Sequence, residues 1–148
     1  MIARQAVVDE ARKWLGAPFV HQGRVPQGID CLGIVGRVGI ALGVETSAQW
    51  EADQEVSDYG LAVHRPDVLV RKCDQYLDRI ALAAAGLGDI LLMRFNVFPQ
   101  HFAIVSRLSP MYVIHAYSSP SVNRVTENGV HVAGAKLYRA YRFRGVEA

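Results

Sequence analysis

Apolar positions at Ala6, Val7, Ala11, Trp14 and Leu15 recur with a helical period, and Gly16 supplies the stop. The spacing predicts a first helix over 6–15. A loop rich in Gly and Pro runs from Gly16 to Gly28. Asp30 then stands where a helix N-cap belongs, and the run Cys31 to Leu42 closes at Gly43. This second helix is apolar on nearly every side, so it is expected to be the buried central helix. Residues 45–65 are polar and irregular and read as a surface excursion. Pro66 suits the first turn of a third helix that runs to about Ala85. Leu69, Cys73, Tyr76, Leu77 and Ile80 form its apolar face, which makes Cys73 a core residue.

After Gly86 the pattern shortens into β-rich runs: Asp89-Ile-Leu-Leu-Met, His101-Phe-Ala-Ile-Val, Met111-Tyr-Val-Ile-His and Gly129-Val-His-Val. Pro, Gly or the turn signal Glu127-Asn128-Gly129 separates them, and Lys136 to Phe143 adds a last strand. Helices first and an antiparallel sheet second is the α+β pattern. At 148 residues the chain is expected to form a single domain over 1–148.

Composition narrows the function. The chain is 51% hydrophobic and 20% charged, which suits a packed globule. A formal charge of +2 offers no strong basic field for nucleic acid, and a modest basic excess suits an anionic polymer. No apolar run reaches the roughly 20 residues that cross a bilayer, so no membrane insertion is expected. Charges interrupt the first sixteen residues, which therefore do not read as a secretory leader. Two cysteines make no disulfide framework. No cofactor is called for, and no pair among the cysteines and histidines has the short spacing of a zinc set.

The chemistry concentrates at Cys31. A thiol in the first turn of a helix meets unpaired N–H groups and the positive end of the helix dipole, which is expected to lower its pKa. The same amides can stabilise an oxyanion. Gly33 is expected to leave room beside the sulfur, and Gly28 to let the loop turn into the helix. A thiolate also needs an imidazole within reach, itself held by a third polar group. His101 opens one strand and His115 closes the next. If the two strands pair antiparallel, both rings meet at one sheet edge. His21 lies in the Gly-rich loop and can line the cleft, whereas His64 and His131 read as solvated.

These residues together resemble the NlpC-like family of papain-fold cell-wall peptidases. Trp14-Leu-Gly-Ala-Pro-Phe-Val-His-Gln-Gly is similar to the family's opening Gly-x-Pro-Tyr motif, and Asp30-Cys31-Leu-Gly-Ile-Val to its Asp-Cys-Ser-Gly-Leu-Val. Gly88-Asp89-Ile-Leu-Leu, His101-Phe-Ala-Ile-Val and Val113-Ile-His115-Ala resemble its three sheet motifs, in the same order. Phe19 stands where the family has Tyr, and Leu32 where it has Ser.

The resemblance implies a papain-like (NlpC-type) core of N-terminal helices packed on an antiparallel sheet. Cys31 is then the nucleophile, His101 the base and His115 its orienter. Asp30, Leu32, Phe19 and His21 border the substrate or oxyanion site, with Asp30 assigned to capping rather than proton transfer. The implied reaction is D-glutamyl to diamino-acid cleavage of peptidoglycan stem peptides. The loop from His21 to Cys31 and the closing Tyr138-Arg-Ala-Tyr-Arg-Phe resemble the branch found in tailed phages and gene-transfer particles. That branch implies tail-tip proteins as partners and delivery to the wall by a particle. The alternatives are a structural tail-tip protein with little hydrolysis, and an amidase or acyltransferase on the same fold. Cys31 before His101 favours the peptidase over the latter.

Overall fold

The structure is a computed structural model that describes residues 1–58, 67–95, 98–119, 121–131 and 136–148, without the side chains of 95 and 98–100. The expected helix start at Pro66 and the expected solvation of His64 lie outside the described residues.

Helix α1 (Arg4–Arg12) buries Val7, Val8 and Ala11. It starts and ends earlier than its apolar spacing predicts. Glu147, near the far end of the chain, accepts the hydrogen bond of the Arg4 amide, so a distant carboxylate occupies the place of a local cap. At the other end Trp14 and Leu15 donate to Ala11 and Arg12, tight turns that lead to Gly16 at a φ of 86°.

A two-stranded ribbon, β1 (Arg24–Val25) and β2 (Gly28–Ile29), leads into helix α2 (Cys31–Ala41). This helix matches its sequence signals: Asp30 caps it, and Gly43 follows at a φ of 76°. Eight of its residues are buried, Cys31 to Gly36 together with Val38 and Gly39.

The segment read as a surface excursion is partly core. It holds α3 (Ser47–Ala52) and α4 (Gln54–Ser57), which bury Trp50 and Val56. The Trp50 indole donates to the Leu32 carbonyl at 3.3 Å and meets the Phe102 ring edge-on, centroids 5.6 Å apart. Trp50 and Val56 together anchor this polar stretch in the core.

Helix α5 (Val68–Tyr76) is also shorter than predicted, because the chain extends at Leu77 and joins the sheet as β3 (Asp78–Ile80). Leu69, Cys73, Tyr76 and Leu77 enter the main core, while Ile80 packs in a second cluster. The apolar run from 69 to 80 thus spans two elements, which periodicity alone does not separate.

The main sheet is completed by β4 (Ile90–Phe95), β5 (Phe98–Arg107), β6 (Tyr112–Ser118), β7 (Asn123–Gly129) and β8 (Lys136–Arg142), in the order β3-β8-β4-β5-β6-β7. Among the described residues, every strand pairing in this sheet is antiparallel. Alternation sends Ile90, Leu92, Phe102, Ile104, Ile114 and Ala116 toward the helices, and Leu91, Met93, Ala103, Val105 and Val113 into the second cluster. The carboxylate of Asp89, fully buried, binds Arg142 through both oxygens at 2.7 and 2.9 Å and Arg4 at 3.2 Å. It thereby ties α1 to the start of β4 and the end of β8.

The turn signal Glu127-Asn128-Gly129 is a correction: all three residues are extended in β7, opposite Ile114, Val113 and Tyr112. The chain reverses earlier, where the Ser119 amide donates to the Val122 carbonyl and the Ser119 hydroxyl accepts from Val122. A full ladder with β6 outweighs the local preference of Asn-Gly for a turn. Among the described residues, no helix is long and apolar enough to cross a membrane.

Candidate active site

The head of α2 is built by a single carboxylate. Asp30 is completely buried, and its oxygens accept from the Gly33 amide at 2.8 Å, the Gln22 amide at 2.6 Å and the Arg24 guanidinium at 3.1 Å. One oxygen caps the helix while the other holds the loop that precedes it. Gln22 sits at a φ of 62° to present its amide this way. Asp30 is thus committed to the scaffold, and its charge is compensated in place.

The glycines have other duties than predicted. A Cβ on Gly33 would lie 2.5 Å from the Gly23 carbonyl oxygen, so its smallness lets the loop lie on the helix and is not spent beside the sulfur. A Cβ on Gly28 would lie 2.3 Å from a Val20 methyl. Close packing of β2 against residue 20, not a sharp turn, therefore requires glycine there.

Cys31 is the first residue of α2, and 3% of its surface is exposed. The backbone N–H groups of Phe102, Cys31 and Leu32 favour the thiolate. Two larger influences oppose them: burial first, then the negative charge of Asp30. Together they push the thiol up to about 12. The expectation of a lowered pKa is therefore corrected in direction. The carboxylate that caps the helix also offsets the dipole that would have stabilised the anion.

The sulfur meets β5 at Phe102, one residue beyond His101. A bulge precedes this point: Met93 pairs with His101 and Arg94 with Pro99, which leaves Gln100 as an extra residue. Such a bulge bends the strand and re-aims the side chains that follow it. The histidines come together because Ile104 pairs with Ile114. That register sets His101 and His115 diagonally across β5 and β6. His101 Nε2 lies 2.7 Å from His115 Nδ1, and both rings are buried. Burial, then the neighbouring His115, holds His101 down to about 3; burial also lowers His115, against a hydrogen bond with Asn128 that raises it.

The sequence reading missed two neighbours of this pair. Tyr117 stacks on His115 at 14° between ring planes, with centroids 5.4 Å apart. Asn128 places Oδ1 2.9 Å from His115 Nε2. The period of two along Val113, His115 and Tyr117 was a usable signal for the tyrosine. For Asn128 the only local signal pointed to a turn.

The remaining candidates lie nearer the loop. The Leu32 side chain is fully buried, and only its backbone takes part, through its amide at the sulfur and its carbonyl on Trp50. Phe19 is half-buried and bridges Ile29, and His21 is exposed. His131, expected to be solvated, is exposed.

No protein-family model and no curated protein matches the chain. Solved structures do. The NlpC/p60 domain of the peptidoglycan hydrolase SagA aligns with a TM-score of 0.61 at 24% identity, over 93% of this chain and 97% of that one. NlpC1 from Trichomonas vaginalis gives a TM-score of 0.63 at 13% identity, over 95% of this chain and 44% of that one. A protein similar to a lipoprotein of the NLP/P60 family, from Staphylococcus aureus, gives 0.60 at 19%, over 98% of this chain and 42% of its own. At these identities the likeness speaks for the architecture: the chain has the α+β, papain-like fold of NlpC/p60 domains, helices packed on an antiparallel sheet.

Proposed function

We propose that the chain is a cysteine peptidase of bacterial cell wall that cleaves peptidoglycan stem peptides between D-glutamate and the diamino acid. The observation that carries this reading is the meeting of the His101 and His115 rings at 2.7 Å, beside the point where the Cys31 sulfur meets β5. A fold shared with a peptidoglycan hydrolase domain supports the polymer as substrate. The choice of bond, and a place at the tip of a phage-like tail that carries the protein to the wall, rest on the sequence motifs alone.

In this reading the thiol and imidazole are both neutral at rest, since burial disfavours each charged form. His101 Nε2 is committed to His115, so Nδ1 takes the thiol proton as sulfur attacks the peptide carbonyl. The carbonyl oxygen becomes an oxyanion at the amides that head α2. The C–N bond then breaks, the imidazolium returns its proton to the leaving amine, and water hydrolyses the thioester to release the acid and free the thiol.

Mass spectrometry of fragments released from defined muropeptides tests the proposal. New D-glutamyl carboxyl and diamino-acid amino termini, absent with Cys31→Ala, are the expected result. Cleavage at the sugar-linked amide would make the protein an amidase instead. Intact muropeptides after prolonged incubation would sink the enzymatic reading.

A further inference from the structure

The hydrogen-bond chain beyond His101 fixes more than ring orientation. Asn128 Oδ1 can only accept, so His115 Nε2, at 2.9 Å, must carry a hydrogen. Burial favours the neutral form of His115, and a neutral imidazole has a single N–H. Its Nδ1 is therefore a bare lone pair. The His101 Nε2 atom facing it at 2.7 Å must be the donor. It follows that the neutral His101 ring carries its hydrogen on Nε2 and a lone pair on Nδ1, the arrangement a base needs.

Asn128 decides between this arrangement and its reverse. Its Nδ2 donates to Thr126 Oγ1, on the same strand, at 3.4 Å, which leaves the carbonyl oxygen aimed at His115. An amide turned the other way would offer N–H to His115 Nε2. Every hydrogen in the chain would then shift to the opposite nitrogen, and His101 would present N–H at Nδ1, unable to take a proton.

We propose that Asn128 is a positioning residue: through His115, its side-chain carbonyl sets the tautomer of His101 so that Nδ1 is the basic nitrogen. This rests on the peptidase reading for its purpose, but the hydrogen arrangement itself is measurable without any substrate.

The experiment is ¹⁵N NMR of the full chain labelled at its histidine rings, with the alkylation rate of Cys31 by iodoacetamide measured alongside. The wild-type protein is expected to show Nε2–H and bare Nδ1 at both His101 and His115. Asn128→Leu, which keeps the shape and removes the acceptor, is expected to populate Nδ1–H at His101 and to slow alkylation by about tenfold or more, within the range of a lost general base. Nδ1–H at either ring in the wild-type protein overturns the proposal, as does an unchanged ring pattern in Asn128→Leu. Should that variant fail to fold, the wild-type spectrum decides alone. A wild-type protein with the expected pattern that releases nothing from muropeptides would refute the peptidase and leave the Asn128 assignment standing.

Discussion

Cys31 and Cys73 both lie outside any disulfide, both are buried, and both are pushed upward in pKa by burial. What separates them is what the sulfur can touch. Cys73 lies inside α5, where its carbonyl accepts from the Leu77 amide and Leu69, Tyr76 and Leu77 share its cluster. Cys31 opens a helix, where three backbone N–H groups favour its thiolate, and His101 stands one residue along β5 from Phe102 with its ring against that of His115 on β6. Burial alone therefore does not distinguish the two cysteines. A buried thiol becomes a candidate nucleophile where amides and a base are supplied with it.

The sharpest way to break this comparison is to truncate each cysteine in turn. Cys31→Ala is expected to abolish muropeptide cleavage while the melting temperature stays near that of the parent. Cys73→Ala is expected to leave the specific activity intact and to lower stability by about 1–2 kcal/mol, as loss of a small buried side chain does. Equal activities in the two variants would erase the distinction.

Removal of the base comes next in size. His101→Ala is expected to slow peptide cleavage by about 10²-fold or more, the scale of general base catalysis. Cleavage kinetics within a factor of about two of the parent would take His101 out of the reaction.

The pH profile then tests whether the resting thiol is neutral. With the thiol near 12, the thiolate fraction grows about tenfold per pH unit. In His101→Ala, where no imidazole assists, alkylation of Cys31 should thus climb by about 100-fold between pH 7 and 9. A plateau beginning near pH 6 in that variant would show that the thiol is not held high.

Smaller effects concern the scaffold. Gly33→Ala places a methyl 2.5 Å from the Gly23 carbonyl oxygen and 2.9 Å from Ile29 Cγ1. A loss of about 1–3 kcal/mol in chemical denaturation is expected. No loss would mean that the loop moves aside at little cost.

Acid sensitivity is the last test. His101 has its folded pKa lowered from about 6.5 to about 3, so the unfolded chain binds the proton that the folded chain refuses. This contribution to stability is present in full above pH 6.5 and is lost as pH falls toward 3. Melting temperatures should decline more steeply in that window for the parent than for His101→Asn. Parallel curves would show that the ring is not buried neutral.

The sequence by itself determined the elements whose signals are local. Asp30 and Gly43 mark the ends of α2 because a cap and a positive φ act within one turn, and the β-rich runs after Gly86 announce strands without their order. Three chemically apt side chains, at 31, 101 and 115, were visible as residue types in the right elements. Only the tertiary structure decided how they are joined. The register of Ile104 with Ile114 sets the two histidines on one diagonal, and a shift of one residue would place them on opposite faces. Asn128 reads as a turn until β6 supplies the ladder that extends it. The direction of the Cys31 shift depends on how much water the folded chain excludes and on the charge of Asp30 beside it. Register, burial and electrostatic environment arise from groups far apart along the chain, and local patterns carry no record of such neighbours.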